Sequence, residues 1–327
     1  MSSSIISTLN FISQQINIYV GLTILILGVV GGCLNVLVFV SLRTFRQSSC
    51  ACHLTIMSIF NIGQLVIGLS TRPLETNDDI NAILTSLSYC QFRQFTFQAC
   101  ISISLASICF ATIDQYWATC SRPKWRQWCN IKLALRLNLI SIIISLLHCI
   151  PYLFFSNRAF LSTTNRMACV LTNKIYQQYR DYVLVPFINR LIPLTIIFTF
   201  CLLSYRNIQQ IAYRTVPIVR RELDKQLTTM VLVQAAFICL TITPYLILNS
   251  ITSYTNLAQN ATTAAILNLM NTIVLCFYYL SSASPFYIYL SVSERYRRQF
   301  LHVINRIHAN KCTKPRIAIN QVTPDDF

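Results

Sequence analysis

Seven apolar stretches run through this chain, separated by short polar segments, and each is long enough to cross a bilayer. A helix crossing a hydrocarbon core of roughly 30 Å needs about 20 mostly apolar residues. That ruler predicts spans over Tyr19 to Leu42, Leu54 to Thr71, Tyr89 to Ala118, Leu133 to Phe155, Tyr182 to Tyr205, Leu227 to Thr252 and Ala264 to Leu290. The fold class is therefore an all-α seven-transmembrane bundle. A polar lead, Ser2 to Asn17, precedes the first span, and no acidic or basic residue occurs before Arg43. Without a charged n-region or a cleavage site, the first span reads as a signal anchor.

With seven spans the two ends lie on opposite sides, and the basic residues decide which is which. One set of loops holds Arg43, Arg46, Arg122, Lys124, Arg126, Lys132, Arg206, Arg214, Arg220, Arg221, Lys225 and the basic tail from Arg295 to Arg316. The other holds only Arg72, Arg158, Arg166, Lys174 and Arg180. This predicts residues 1–18 outside, a membrane domain over 19–290 and a cytoplasmic tail over 291–327. Composition agrees: 54% hydrophobic residues, 11% charged and a mean hydropathy of +0.52 exceed what a soluble core absorbs. The net charge of +16 then reads as attraction to anionic membrane lipid, with no nucleic-acid partner.

Fourteen cysteines would suggest a disulfide scaffold in a small secreted domain, but most lie mid-span and read as small apolar packers. Cys90 and Cys169 stand apart on the outer side, where an oxidising compartment permits a bridge between them. There is no internal repeat of the kind many transporters carry.

Several spaced landmarks now carry a resemblance. They are Gly31-Gly32-Cys33-Leu34-Asn35 in the first span, the interval from Cys90 to Asp114-Gln115-Tyr116, and prolines at Pro193, Pro244 and Pro285. After Leu290 comes an amphipathic run with Tyr296, Phe300, Val303 and Ile307 on one side and Arg295, Arg298, His302 and Arg306 on another. The chain resembles a rhodopsin-like, class A G-protein-coupled receptor over nearly its whole length, and its pattern is most similar to invertebrate peptide receptors. The resemblance implies a plasma-membrane receptor for an extracellular ligand, a peptide, with a short eighth helix after the seventh span, that signals to heterotrimeric G proteins when its sixth span moves outward about Pro244. It implies no cofactor, no metal and no enzymatic activity.

The departures bear most on mechanism. Gln115 stands where the family carries an arginine, so Asp114 and Asp224 lose a cationic partner. Two consequences compete, a loosened resting state with basal activity or weak G-protein engagement, beside a tolerated substitution with normal signalling. Tyr116, Arg122 and Trp125 complete the surface expected to meet a G protein, although Trp117, Trp125 and Trp128 also suit an interfacial anchor. Counting forward from Asn35 and back from Cys90 both lead to Gly63, where the family places a sodium-binding aspartate. A cation in a dry cavity needs compensating charge, so agonist affinity is expected to show no sodium-selective loss against a matched organic cation. Ile242 replaces the family tryptophan before Pro244, and Ser284 the asparagine before Pro285. Tyr289 falls one place late for the family tyrosine and Tyr287 one place early.

For the ligand, no lysine between Ala264 and Leu290 leaves a retinal Schiff base without an attachment point, and Phe97 occupies the place of the aspartate typical of amine receptors. Arg93, Phe97, Gln98, Asn189, Arg190 and Asn249 are the candidate ligand residues. An arginine inside a membrane is costly and marks a functional site. Arg93 is near enough to the interface to snorkel; Arg190 is deeper and reads as an anion contact or an internally paired group. Asn260 heads a glycosylation sequon, and Cys312 is a candidate for palmitoylation. Only Thr313 and Thr323 follow Ser293, leaving little for a phosphorylated tail. Two other readings stand beside the receptor: a non-signalling decoy, favoured by Gln115 and the absent tryptophan, and an anion transporter lined by Arg93 and Arg190. Hydrolytic chemistry lacks its ingredients, since Asp114 is the only acidic residue near a span interior in the first six spans.

Overall fold

A computed structural model describes residues 2–41, 43–70, 86–161, 166–211, 218–254 and 260–312. Its long helices are α1 (Ser2–Ser41), α2 (Ser49–Leu69), α3 (Leu87–Thr119), α4 (Ile131–Cys149), α5 (Ile192–Ile211), α6 (Ile218–Tyr254), α7 (Ala261–Ala283), α8 (Pro285–Val292) and α9 (Glu294–Cys312). Seven segments are long and apolar enough to span a membrane. α3 runs through the middle of the bundle and packs on α2, α4, α5 and α6, while α1 lies against α2 and α7.

The packing is inverted relative to a soluble protein, most clearly on α4. Ala134, Asn138, Ser141 and Ser145 recur every three or four residues and are buried, whereas Leu139, Ile144 and Leu147 are 58%, 60% and 60% exposed. Small and polar side chains let backbones approach and hydrogen-bond across helices, while apolar ones face lipid. Asn138 Oδ1 accepts from Ser107 Oγ of α3 at 3.3 Å, and its Nδ2 lies 2.8 Å from His53 Nδ1 of α2. Asn130 starts α4 by accepting from Leu133 N at 2.8 Å. Gly28 serves a close approach of α1 to its neighbours, since a Cβ there would stand 2.5 Å from Leu65 and 2.8 Å from Ala283.

Three features depart from the hydropathy reading. α1 takes in the polar lead, and Ser13 is buried with its hydroxyl 2.7 Å from Thr272 Oγ1 of α7. An antiparallel hairpin of β1 (Ser156–Leu161) and β2 (Arg166–Leu171) forms the connection after α4, and the Cys90–Cys169 disulfide ties it to the top of α3. The fifth span begins as a helix over Lys174–Tyr179 and continues as a π-helix over Arg180–Leu191 before becoming α5. Pro186 lies inside the π segment and Pro193 just after it. Each removes an N–H that an α-helix would use, and π geometry frequently marks functional sites.

The last span breaks at Ser284, and Pro285 opens α8. α9 turns back under the bundle, burying Tyr296 and Val303 while Arg298 and His302 stay exposed. Phe39, Phe45, Phe286, Tyr289, Tyr296 and Phe300 form an aromatic cluster there, with ring centroids 5.2–6.2 Å apart between neighbours.

Candidate functional site

Two polar sites lie inside the bundle, one toward the hairpin end and one toward the α9 end. At the first, the π segment turns Arg190 inward until it is 4% exposed. In an α-helix the Asn189 carbonyl would lack a donor, because Pro193 four residues on has no N–H. Here that carbonyl accepts from Arg190 Nη1 at 3.1 Å. The guanidinium carbon stands 4.5 Å from the Tyr278 ring centroid and 5.1 Å from that of Tyr245. The two rings are stacked at 5.3 Å, and Gln64 Nε2 donates to Tyr278 OH at 2.8 Å. Arg190 thus joins α6 and α7 through their aromatic faces, a contact worth about 2 kcal/mol when desolvated. Among the described residues no carboxylate pairs with it, and its Nε has no hydrogen-bond partner. A buried cation without a counter-charge costs several kcal/mol, so the site favours an anionic group.

Gln98 is buried on α3, and its Nε2 has no partner among the described residues. Phe97 faces Tyr279 at 6.4 Å, beside Gly68, whose missing side chain leaves room for both rings. Asn189 is buried, but its Oδ1 turns to Ser102 Oγ at 3.4 Å. Arg93 and Asn249 are half-buried. Sequence reasoning found Arg190 through its cost and missed Tyr245, Tyr278 and Gln64.

At the α9 end, Asp114 and Gln115 are buried, at 4% and 3% exposure. Asp114 Oδ2 accepts from Ser49 Oγ of α2 at 2.8 Å, and Gln115 Oε1 from Thr228 Oγ1 of α6 at 2.6 Å. Thr119 Oγ1, which donates to the Gln115 carbonyl at 2.8 Å, accepts from Asn207 Nδ2 of α5 at 3.4 Å. The end of α3 is therefore tied to three neighbouring helices by hydrogen bonds, with a neutral amide where an arginine would bring an ion pair. Tyr116 packs on Phe200 at 5.5 Å. Arg122 and Trp125 are exposed around the short helix Pro123–Arg126. The side chain of Asp224 lies outside the described residues, as does that of Cys312.

The remaining candidates occupy the joints between these sites. Asn35 is fully buried; its Oδ1 accepts from Tyr296 OH at 2.7 Å and its Nδ2 donates to Ser58 Oγ at 2.8 Å. Burial also raises the Tyr296 phenol above its ordinary range, keeping it a neutral donor. Gly63 faces Cys100, whose sulfur would lie 2.9 Å from a Cβ there. Beside it Ser104 Oγ donates to Asn61 Oδ1, so these oxygens already satisfy one another. Ile242 is buried and Pro244 lies within α6. Tyr289 is buried in the aromatic cluster, whereas Tyr287 is 39% exposed and donates to the Leu27 carbonyl at 3.0 Å. Tyr289 is the inward-facing tyrosine of the two. Asn260 is exposed at the start of α7.

The family model for the 7 transmembrane receptor (rhodopsin family) matches residues 34–289. No curated protein matches the chain.

Proposed function

The chain belongs to the rhodopsin family of seven-transmembrane receptors, and from that premise we propose that it is a peptide receptor whose ligand presents an anionic end to Arg190 and whose active state engages heterotrimeric G proteins. The family makes it a multi-pass plasma-membrane signalling receptor and not an enzyme. Basic residues concentrated at the α9 end support an extracellular amino terminus and a cytoplasmic tail. Under this orientation the hairpin tied by Cys90–Cys169 borders the ligand entrance.

The observation that carries the ligand reading is the buried guanidinium of Arg190, set against the stacked pair Tyr245 and Tyr278 without a carboxylate among the described residues. A carboxylate arriving there gains charge-assisted hydrogen bonds in a dry site. A peptide supplies that group at its carboxyl terminus or on an acidic side chain. The test is a paired library of free-acid and carboxyl-amidated peptides, applied to cells carrying this receptor and a panel of G-protein reporters. Activating sequences that need an acidic group support the reading; activation only by uncharged or cationic ligands overturns it.

The hydrogen bond between Thr228 and Gln115 supports a resting state in which α6 is held against α3. Activation in this family moves that end of α6 outward, which breaks such a link. A buried neutral hydrogen bond contributes about 1 kcal/mol, so Thr228→Val is expected to raise basal second-messenger output about fivefold. Gln115→Arg restores a cation beside Asp114 and is expected to lower it. Equal basal output from wild type and both variants, at matched surface expression, would sink this account of the resting state and favour a receptor-shaped decoy.

A further inference from the structure

At the α9 end two hollows meet along the outside of the bundle. One is a groove of about 360 Å³ beside the start of α4, lined by Gln127, Trp128, Asn130, Lys132, Leu133 and Arg136. The other is a crevice of about 300 Å³ running deeper between α3, α4 and α5, where Phe110, Ile113, Trp117, Leu137 and Phe200 line it. Trp128 and Leu133 belong to both, so the groove opens into the crevice. His53 and Asp114 also border the crevice. Both are turned to other partners, His53 Nδ1 to Asn138 and Asp114 Oδ2 to Ser49.

The groove concentrates positive charge where an isolated helix would avoid it. Lys132 and Arg136 lie four residues apart, and so on one face, within the first two turns of α4. Like charges at that spacing repel, and cations near a helix N-terminus oppose its dipole. Both side chains are exposed, and no carboxylate pairs with either among the described residues. An anion between them relieves both penalties. Directly below lies an apolar crevice at membrane depth, and the indoles of Trp117 and Trp128, 5.7 Å apart, stand at the junction. Aromatic rings favour the headgroup zone.

We propose that this composite hollow is a binding site for an anionic phospholipid, with its phosphate between Lys132 and Arg136 and one acyl chain in the crevice between α3, α4 and α5. The depth favours lipid over a soluble protein, since Phe110 and Leu137 lie a turn or more into the membrane-spanning part of their helices. The occupant comes from the leaflet at the α9 end. Its chain packs on the Ile113 and Trp117 face of α3, so occupancy stabilises the end of α3 that carries Asp114 and Gln115.

The chain has three tryptophans, and two of them line the crevice, so the site reports on itself. The full-length receptor with Trp125→Phe is reconstituted in phosphatidylcholine vesicles. These contain a small fraction of lipid brominated on its acyl chains, either phosphatidylserine or phosphatidylcholine. Two basic side chains at the surface are expected to make the anionic quencher effective at a mole fraction on the order of tenfold lower than the neutral one. Lys132→Gln with Arg136→Gln should abolish that preference, and Lys132→Arg with Arg136→Lys should keep it, all at unchanged helicity. Equal quenching by the two lipids overturns the proposal, leaving ordinary lipid contact. So does a preference that survives the double glutamine variant, which would hold the anion elsewhere. G-protein activation lost in that variant without any lipid preference in wild type would make the groove a protein contact instead.

Discussion

For the peptide ligand proposed above, replacing Arg190 with glutamine should raise the concentration needed for half-maximal signalling by on the order of a hundredfold, at unchanged surface expression. A charge-assisted hydrogen bond is worth about 1.5–3 kcal/mol, and the stacked Tyr245 and Tyr278 rings beside it help exclude the water that would weaken it. Glutamine keeps polarity and much of the length, so loss of packing contributes little. The sharper comparison is Arg190→Lys. Lysine keeps the charge but not the planar fork or its stacking on Tyr245 and Tyr278, so it should recover only part of the loss. The defect should also depend on the ligand: an amidated or neutralised analogue is already weak on wild type and falls little further. If acidic and neutralised peptides lose potency equally, Arg190 is a structural bridge between helices and the anion-binding role fails.

The second large effect is on stability. Tyr296→Ala should cost about 3–5 kcal/mol, because it empties the middle of the aromatic cluster that joins α1, α8 and α9. The apparent unfolding midpoint of the detergent-purified receptor, at a fixed heating rate, should drop by on the order of 10 °C. Tyr296→Phe retains the ring and removes only the donor to Asn35, leaving a buried amide oxygen without that bond, so about 1–3 kcal/mol is expected. Asn35→Ala loses the bonds to both Tyr296 and Ser58. A cycle of the single and double variants should therefore show strong non-additivity. Midpoints of Tyr296→Ala within a degree or two of wild type would mean that α9 is docked by other contacts.

Hydropathy made the spans legible because a bilayer imposes one length on every element that crosses it, and a continuous apolar run can be measured directly. It could not place the helix ends, since a helix continues past the hydrocarbon as long as its own backbone bonds are intact. α1 reaches back to Ser2 for that reason, through residues that look like a lead. Arg190 was readable from cost alone, because few positions tolerate a buried cation. Its partners were not: Tyr245 and Tyr278 sit in apolar runs where composition cannot distinguish an inward ring from a lipid-facing one. The π segment was equally hidden, since Pro186 and Pro193 announce a broken ladder but not how the backbone will be re-paired. Gln115 was visible as a departure, while Thr228 became meaningful only when folding brought α6 to it. The bond from Tyr296 to Asn35 joins residues 261 positions apart, a separation across which no local pattern carries information.

The contact between α3 and α6 has one more property. Because it is an amide meeting a hydroxyl, neither partner changes charge as the pH falls, and mobile ions have little to screen. A receptor held by an ion pair there would instead depend on a carboxylate remaining ionised. Changes in acidity or ionic strength should therefore leave this link intact, and with it the readiness of α6 to move.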